Sequence, residues 1–239
     1  MRLGDFTTLT FDCYGTLIDW ETGIHEALRP WLARHGADIG REALLAAFAR
    51  QESAQQAETP SMLYPELLGR VLMRMGEEFG LPVTASEAEA FGRSVGDWPA
   101  FADSAEALAY LRHHYRLVVL SNVDRAGIAR SAAKLGDPFD AVYTAEEIGS
   151  YKPDPRNFAF LLERLSEQGC RREEILHTAQ SLFHDHVPAR AAGLATCWID
   201  RHAGRAGGAT PPVATPVETD FRFVSLAAMV EAHRAEQQG

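Results

Sequence analysis

The sequence predicts an α/β fold: a parallel sheet covered by helices and interrupted by a helical insertion. Three features predict it. Short β-branched and aromatic runs alternate with segments of helical period, the pattern of strand–helix units in a parallel sheet. After the first run, roughly 80 residues carry helical period and no convincing strand. The polar residues suited to chemistry stand just after the apolar runs, where the C-terminal ends of strands would lie.

The elements follow in order. Thr7–Phe11 is the first strand; it meets Asp12 and then the turn signal Tyr14-Gly15-Thr16. Residues 21–99 hold helical segments. Glu42–Ala57 sets Leu44, Leu45 and Phe48 on one side, Ser61–Phe79 repeats Leu67, Val71, Met75 and Phe79 at i+4, and Ser86–Val95 is shorter. The expected domains are therefore a core of residues 1–19 and 100–239 and an inserted helical cap of residues 20–99. An insertion after a strand lies over the crevice where open α/β sheets bind ligands, so this one is placed to act as a lid.

The core resumes with helix Ser104–His114 and strand Leu117–Leu120, which stops at Ser121-Asn122. Helix Arg125–Leu135, strand Ala141–Thr144, helix Arg156–Glu167, strand Ile175–Thr178, helix His186–Ala192 and strand Ala195–Ile199 complete the alternation. Arg201–Thr219 is rich in Gly, Ala and Pro and reads as a loop. Phe221–Val224 is an edge strand, and Leu226–His233 a last helix.

Composition narrows the function classes. The chain is 46% hydrophobic and 23% charged, an ordinary globular balance. A net charge of −10 lacks the basic footprint of a nucleic-acid binder and is repelled by anionic membranes. Cys13, Cys170 and Cys197 are too few for a disulfide framework and read as small hydrophobes in a reducing compartment. The first residues lack the pattern of a signal peptide, and no run reaches the ~20 apolar residues of a membrane span. A soluble, cytoplasmic protein is expected, with a small-molecule ligand and no nucleic-acid or membrane partner. Exposed cap and core helices would also suit a homodimer.

Four polar groups follow strands: Asp12, Ser121-Asn122, Lys152 and Asp185. Their separations of 109, 31 and 33 residues exclude a local cause, whereas the strand ends of a parallel sheet bring such residues to one crevice. Each also has a structural reading. An Asp near Gly suits a turn, Ser121-Asn122 and Asp185 can cap helices, and Lys152 can be a solvated surface residue. His184 and His186 are neighbours that do not share a helix face, which argues for structural or pocket-lining histidines over a metal pair.

These segments resemble the haloacid dehalogenase superfamily along nearly the whole chain. The resemblance is carried by Phe11-Asp12-Cys13-Tyr14-Gly15-Thr16-Leu17, Leu120-Ser121-Asn122, Ser150-Tyr151-Lys152-Pro153-Asp154-Pro155, and Asp185 ahead of Pro188-Ala189-Arg190-Ala191-Ala192-Gly193. It implies a Rossmann-like core, a helical cap and Asp12 as a nucleophile that forms a covalent ester. Lys152 would keep Asp12 ionised, Thr16 would orient it, Ser121 and Asn122 would take a substrate carboxylate, and Asp185 would position or activate water.

The branch follows from two positions. The magnesium-dependent phosphatases of the superfamily carry Asp-x-Asp in the first motif and Gly-Asp early in the fourth; here Tyr14 and Ala179-Gln180 stand there. Losing two acids should weaken a magnesium site severely, so no metal or other cofactor is expected. Tyr14 resembles the L-2-haloacid dehalogenases, which displace a leaving group from C2 of a small carboxylate. Arg50 matches their cap arginine that faces the halide. Ser181-Leu182-Phe183-His184 and Phe158 depart from their polar shell.

Thr10–Ile24, Gln55–Pro60, Ser150–Pro155, His177–Leu194 and Phe221-Arg222-Phe223 look closer to the azetidine-2-carboxylate hydrolases, ring-opening relatives of the same branch. That resemblance implies hydrolysis of a strained C–N bond, with Glu52 or Glu58 binding the ammonium and His184 assisting proton transfer. Dehalogenation of an (S)-2-haloacid, a phosphatase with a depleted metal site, and a non-catalytic binding protein are the competing readings.

Overall fold

In the computed structural model, residues 1–203, 213 and 215–239 are described. Six strands form one parallel sheet: β1 (Thr8–Phe11), β2 (Arg116–Ser121), β3 (Ala141–Thr144), β4 (Ile175–Ala179), β5 (Ala195–Ile199) and β6 (Phe221–Phe223). The order is β3-β2-β1-β4-β5-β6 and every pairing is parallel. The α/β expectation therefore holds. Leu9, Phe11, Leu117, Val118, Val119 and Leu120 are fully buried, as a sheet covered on both faces requires.

The chain moves outward from β1 to β2 and β3, then returns to β4 on the opposite side of β1. Strand order reverses there, which opens a crevice at the C-terminal ends of β1 and β4. Asp12 continues the pairing at that edge, its N–H donating to Thr178 O at 3.1 Å.

Four helices lie between Asp19 and Ala100: α1 (Trp20–His35), α2 (Arg41–Glu58), α3 (Tyr64–Phe79) and α4 (Ala85–Gly92). The segments that enter and leave this insertion run side by side. Asp19 N–H donates to Pro99 O at 2.8 Å, and Phe101 N–H to Leu17 O at 3.0 Å. Within the insertion, α1 is the helix without a separate sequence expectation. Pro30 lies inside it, which interrupts the helical hydrogen bonding. Its ends are nonetheless marked: Asp19 caps it by accepting from Thr22 N–H, and Gly36 closes it in the left-handed region. Gly23 lets α1 touch Trp98, since a Cβ there would stand 2.2 Å from the indole Cγ.

The core helices are α5 (Ser104–Leu111), α6 (Arg125–Lys134), α7 (Ala145–Ile148), α8 (Pro155–Glu167), α9 (Val187–Ala191) and α10 (Leu226–Gln238). The short helix α7 has no counterpart in the sequence expectation. The expected helices and strands differ mainly at their ends, with two exceptions. Ser86–Val95 is split into α4 and a 3-10 turn at Arg93–Asp97, and a single π turn, Leu182–His186, precedes α9. The expected loop Arg201–Thr219 falls partly outside the described residues. Among the described residues no helix is long and apolar enough to cross a membrane.

Candidate active site

Each polar group of the site is set by a short backbone device. After β1 the chain folds back, with Leu17 and Ile18 N–H both donating to Cys13 O. Gly15 sits at φ 96°, a conformation that favours glycine, and so the turn returns Thr16 beneath Asp12. Thr16 Oγ1 donates to Asp12 Oδ2 at 2.8 Å and accepts from Gln180 N–H at 2.9 Å. The threonine hydroxyl is thereby fixed as a donor to the carboxylate.

Lys152 reaches the same carboxylate from the loop before α8. Its ammonium donates to Asp12 Oδ1 at 2.9 Å, Asp185 Oδ1 at 2.6 Å and Leu120 O at 2.9 Å. Three acceptors use its three protons. Asn122 holds the loop: its Nδ2 donates to Lys152 O at 3.0 Å and its Oδ1 accepts from Lys152 N–H at 2.6 Å.

Asp185 lies in the π turn, where Ser181 is the cap, accepting from His184 N–H at 2.9 Å. The widened turn is a geometry often met at functional sites. His177, on β4, stands behind Asp185 with Nε2 at 3.1 Å from Oδ1 and Nδ1 at 2.8 Å from Thr10 Oγ1. A carboxylate requires a donor, so the Nε2–H tautomer fits this pair, with Thr10 donating to Nδ1. Asp185 Oδ2 is buried and has no hydrogen-bond partner among the described residues.

Two buried carboxylates share one buried ammonium, so the cluster is anionic. Burial pushes Asp12 above the ordinary carboxylate range, with Lys152 opposing it. Burial acts on Asp185 too, but Lys152 and His177 outweigh it and hold that carboxyl well below its ordinary value. Burial disfavours the Lys152 ammonium, while Asp12 and Asp185 more than compensate and keep it protonated.

A cavity of about 50 Å³ lies above this cluster, lined by Asp12, Tyr14, Glu52, Asn122, Lys152 and Asp185 among others. It adjoins an outer space of about 450 Å³ that shares Gln56, Lys152 and His184 as lining. The insertion supplies Trp20, Glu52, Gln56 and Tyr64 to the inner cavity. Tyr14 packs edge-on to Trp98 and its hydroxyl is 2.9 Å from Ser131 Oγ. Burial lowers His184 to about 4, so its ring is neutral near pH 7.

The structure therefore brings Asp12, Thr16, Tyr14, Asn122, Lys152, His184 and Asp185 together. Ser121 ends β2 with a buried hydroxyl that has no partner among the described residues. Two expectations are corrected. Arg50 does not reach the cavity; it is exposed and pairs with Glu78. It stands two residues from Glu52, and on a helix of 100° per residue the two cannot face the same way. Glu58 pairs with Arg74 on the surface, so of the two cap acids only Glu52 lines the cavity. Asn122 lines the cavity, yet its amide is engaged in holding the Lys152 backbone.

His177, Trp20, Gln56 and Tyr64 were not signalled as site residues. For Glu52 a signal exists: it continues the buried stripe Leu44, Leu45, Phe48 and Gln55 of α2.

The donor set does not fit magnesium, a hard cation that wants several oxygen ligands. Asp12 and Asp185 both turn to Lys152, and the Tyr14 hydroxyl is paired with Ser131. Among the described residues, no group of three or more His, Cys, Asp or Glu side chains is placed to hold a metal ion.

The chain is 27% identical over 233 residues to an (S)-2-haloacid dehalogenase of Pseudomonas sp. (strain YL), covering 93% of this chain and 92% of that one. It is 30% identical over 168 residues to a phosphoserine phosphatase of Thermus thermophilus, covering 68% and 66%. An L-2-haloacid dehalogenase from Xanthobacter autotrophicus with chloropropionic acid covalently bound shares the fold, with a TM-score of 0.76, 19% identity, and coverage of 96% and 98%. The family of haloacid dehalogenase-like hydrolases matches residues 6–178, and the chain belongs to that family.

Proposed function

We propose that the protein is a metal-independent hydrolase of a small 2-substituted carboxylic acid, acting through an ester on Asp12. The observation that carries this reading is the buried Asp12–Lys152–Asp185 cluster, in which each Asp12 oxygen is held by one donor. A fixed carboxylate at the cavity floor is suited to in-line attack on a saturated carbon.

In the first step an Asp12 oxygen bonds to C2, and the bond from C2 to the leaving group breaks with its electron pair. In the second, water adds to the Asp12 ester carbonyl. Asp185 Oδ2, buried and without a partner among the described residues, is the base that takes the water proton. The tetrahedral adduct then collapses, the bond from the Asp12 carbonyl carbon to the substrate oxygen breaks, and the proton held on Asp185 passes to that oxygen, giving free Asp12 and a 2-hydroxy acid. His177 holds Asp185 from behind, and Lys152 balances the charge that passes between the two carboxylates. Ser121 and Asn122 border the place of the substrate carboxylate, and residues 20–99 act as the lid.

The names of the dehalogenase relatives support an (S)-2-haloacid as substrate, with halide as the leaving group. Ring opening of L-azetidine-2-carboxylate to a hydroxy-aminobutyrate is a second reading, favoured by one observation. A carboxylate, Glu52, rather than the cation Arg50 lines the cavity. No compared relative supports that substrate.

A panel of (S)-2-chloropropionate, L-azetidine-2-carboxylate and a generic phosphate ester, each with and without EDTA, tests the proposal. Turnover of one of the 2-substituted acids, unchanged by EDTA, is expected. Activity on the phosphate ester alone, abolished by EDTA and restored by magnesium, would overturn it.

A further inference from the structure

Arg201 joins the turn that carries the nucleophile to the root of the insertion, and the ester chemistry leaves it unused. It follows β5, and its side chain is only 8% exposed. Its Nε and Nη2 donate to Thr16 O at 3.1 and 2.8 Å. Its Nη1 donates to the two carboxylate oxygens of Asp103 at 2.8 and 3.0 Å. The guanidinium also lies over the Phe101 ring, 4.2 Å from its centre.

These contacts fall on both sides of the insertion. Thr16 stands just before the segment that enters it, and Phe101 and Asp103 stand just after the segment that leaves it. The two segments also meet directly at Leu17 O, which accepts from Phe101 N–H at 3.0 Å and from the Ser104 hydroxyl at 2.8 Å. Asp103 is held from a third side, where Oδ2 accepts from Ala227 N–H in the first turn of α10 at 3.1 Å. Arg201 therefore fastens Thr16 to β5 and α10, parts of the core that lie outside the insertion.

Thr16 faces two ways. Its carbonyl takes the guanidinium, while its hydroxyl donates to Asp12 Oδ2 and accepts from Gln180 N–H. Where the backbone at Thr16 goes, that hydroxyl follows. An arginine fork that donates twice to one carbonyl and twice to one carboxylate fixes orientation as well as distance, which an ammonium on a flexible stem does not. A buried cation is costly unless it is fully partnered, and here the partners are the nucleophile's turn and the root of the insertion.

We propose that Arg201 is a positioning residue for Asp12: it grips Thr16 by the backbone carbonyl and so keeps the Thr16 hydroxyl on the carboxylate while the insertion moves above it. The consequence for turnover rests on the reading of Asp12 as the nucleophile; the tie itself is measured at Asp12 without a substrate.

Burial raises Asp12, and Lys152 and the Thr16 hydroxyl oppose that rise. Loss of the Thr16 contact therefore moves the Asp12 titration to higher pH. Carboxyl ¹³C NMR of the aspartate-labelled chain follows it, with Asp12→Asn assigning the signal. Thr16→Val should raise the midpoint, and Arg201→Met should give at least roughly half of the same rise. The double variant should lie at the Thr16→Val value, because both changes remove one contact. Lys152, Asp185, Cys13 and Tyr14, the other ionisable groups acting on or beside Asp12, are the same in every variant.

An unchanged midpoint in Arg201→Met would overturn the proposal. So would a double variant shifted well beyond Thr16→Val, since Arg201 would then act as a distant charge and not through Thr16. Arg201→Lys keeps the charge and loses the fork, so it should retain most of the rise; a wild-type midpoint in that variant would refute positioning. It also decides the matter if Arg201→Met fails to fold. On the acid that the substrate panel identifies, kcat in Arg201→Met should fall about tenfold or more with KM within about threefold. A wild type that turns over none of the acids would refute the reading of Asp12 as nucleophile and leave the titration comparison to decide the role of Arg201.

Discussion

Replacing Lys152 by methionine keeps most of the side-chain volume and removes one buried charge. The wild-type ammonium is 1% exposed and touches Asp12 Oδ1, Asp185 Oδ1 and Leu120 O within 2.9 Å. Without it two buried carboxylates remain. Breaking a buried ion pair from one side costs about 3–5 kcal/mol, because the remaining charge is uncompensated. The cost depends on pH. In the wild type the Asp185 carboxyl is depressed, so its contribution is present above the ordinary carboxylate range and is lost as pH falls through its folded value. In Lys152→Met both carboxyls are raised by burial with no cation to oppose it, so the variant loses stability as pH rises above that range. The gap between the proteins should widen from pH 5 to pH 8. Urea unfolding at both pH values measures it, with Lys152→Met combined with Asp12→Asn and Asp185→Asn recovering most of the loss. A loss under about 1 kcal/mol at pH 8, or one of equal size at pH 5, would refute the charge argument.

Two further outcomes follow from packing and burial. Gly23→Ala should cost about 1–3 kcal/mol, measured by thermal unfolding, because the new Cβ meets the Trp98 ring at 2.2 Å; an unchanged midpoint would show that α1 does not approach Trp98 so closely. Glu52 is raised from 4.5 to about 7, so its penalty is absent below pH 4.5 and complete above pH 7. Glu52→Gln should gain up to about 3 kcal/mol relative to wild type between pH 4.5 and pH 8 by urea unfolding, and a flat difference would refute the shift.

The α/β core was readable because parallel strands are continuous apolar runs, and runs such as Leu117–Leu120 admit few other assignments. The convergence of Asp12, Lys152 and Asp185 was readable for a related reason: in such a sheet the strand ends meet whatever their separation. What was not readable depends on local geometry. Pro30 obscures α1 although both its ends are capped. The π turn at Leu182–His186 carries no periodic signal, and it is this turn that places Asp185. Arg50 and Glu52 both stand on one helix near the site. The choice between them is set by helical phase against Phe48 and by the Tyr64 hydroxyl, a partner twelve residues away in another helix. His177 was hidden as a polar residue inside a buried strand, where only the opposing Thr10 and the nearby Asp185 give it a role.

The central claim is the covalent ester on Asp12, and a single turnover in ¹⁸O-water tests it most directly. Enzyme in excess over the substrate that the panel identifies is allowed one cycle, and the peptide containing Asp12 and the product are weighed by mass spectrometry. Water attacks the ester carbonyl, so one solvent oxygen should enter the Asp12 carboxylate and the product hydroxyl should carry the unlabelled oxygen that Asp12 gave up. Asp12→Asn should show neither label nor turnover. Label in the product with none in Asp12 would contradict the account and leave Asp12 as a base that activates water.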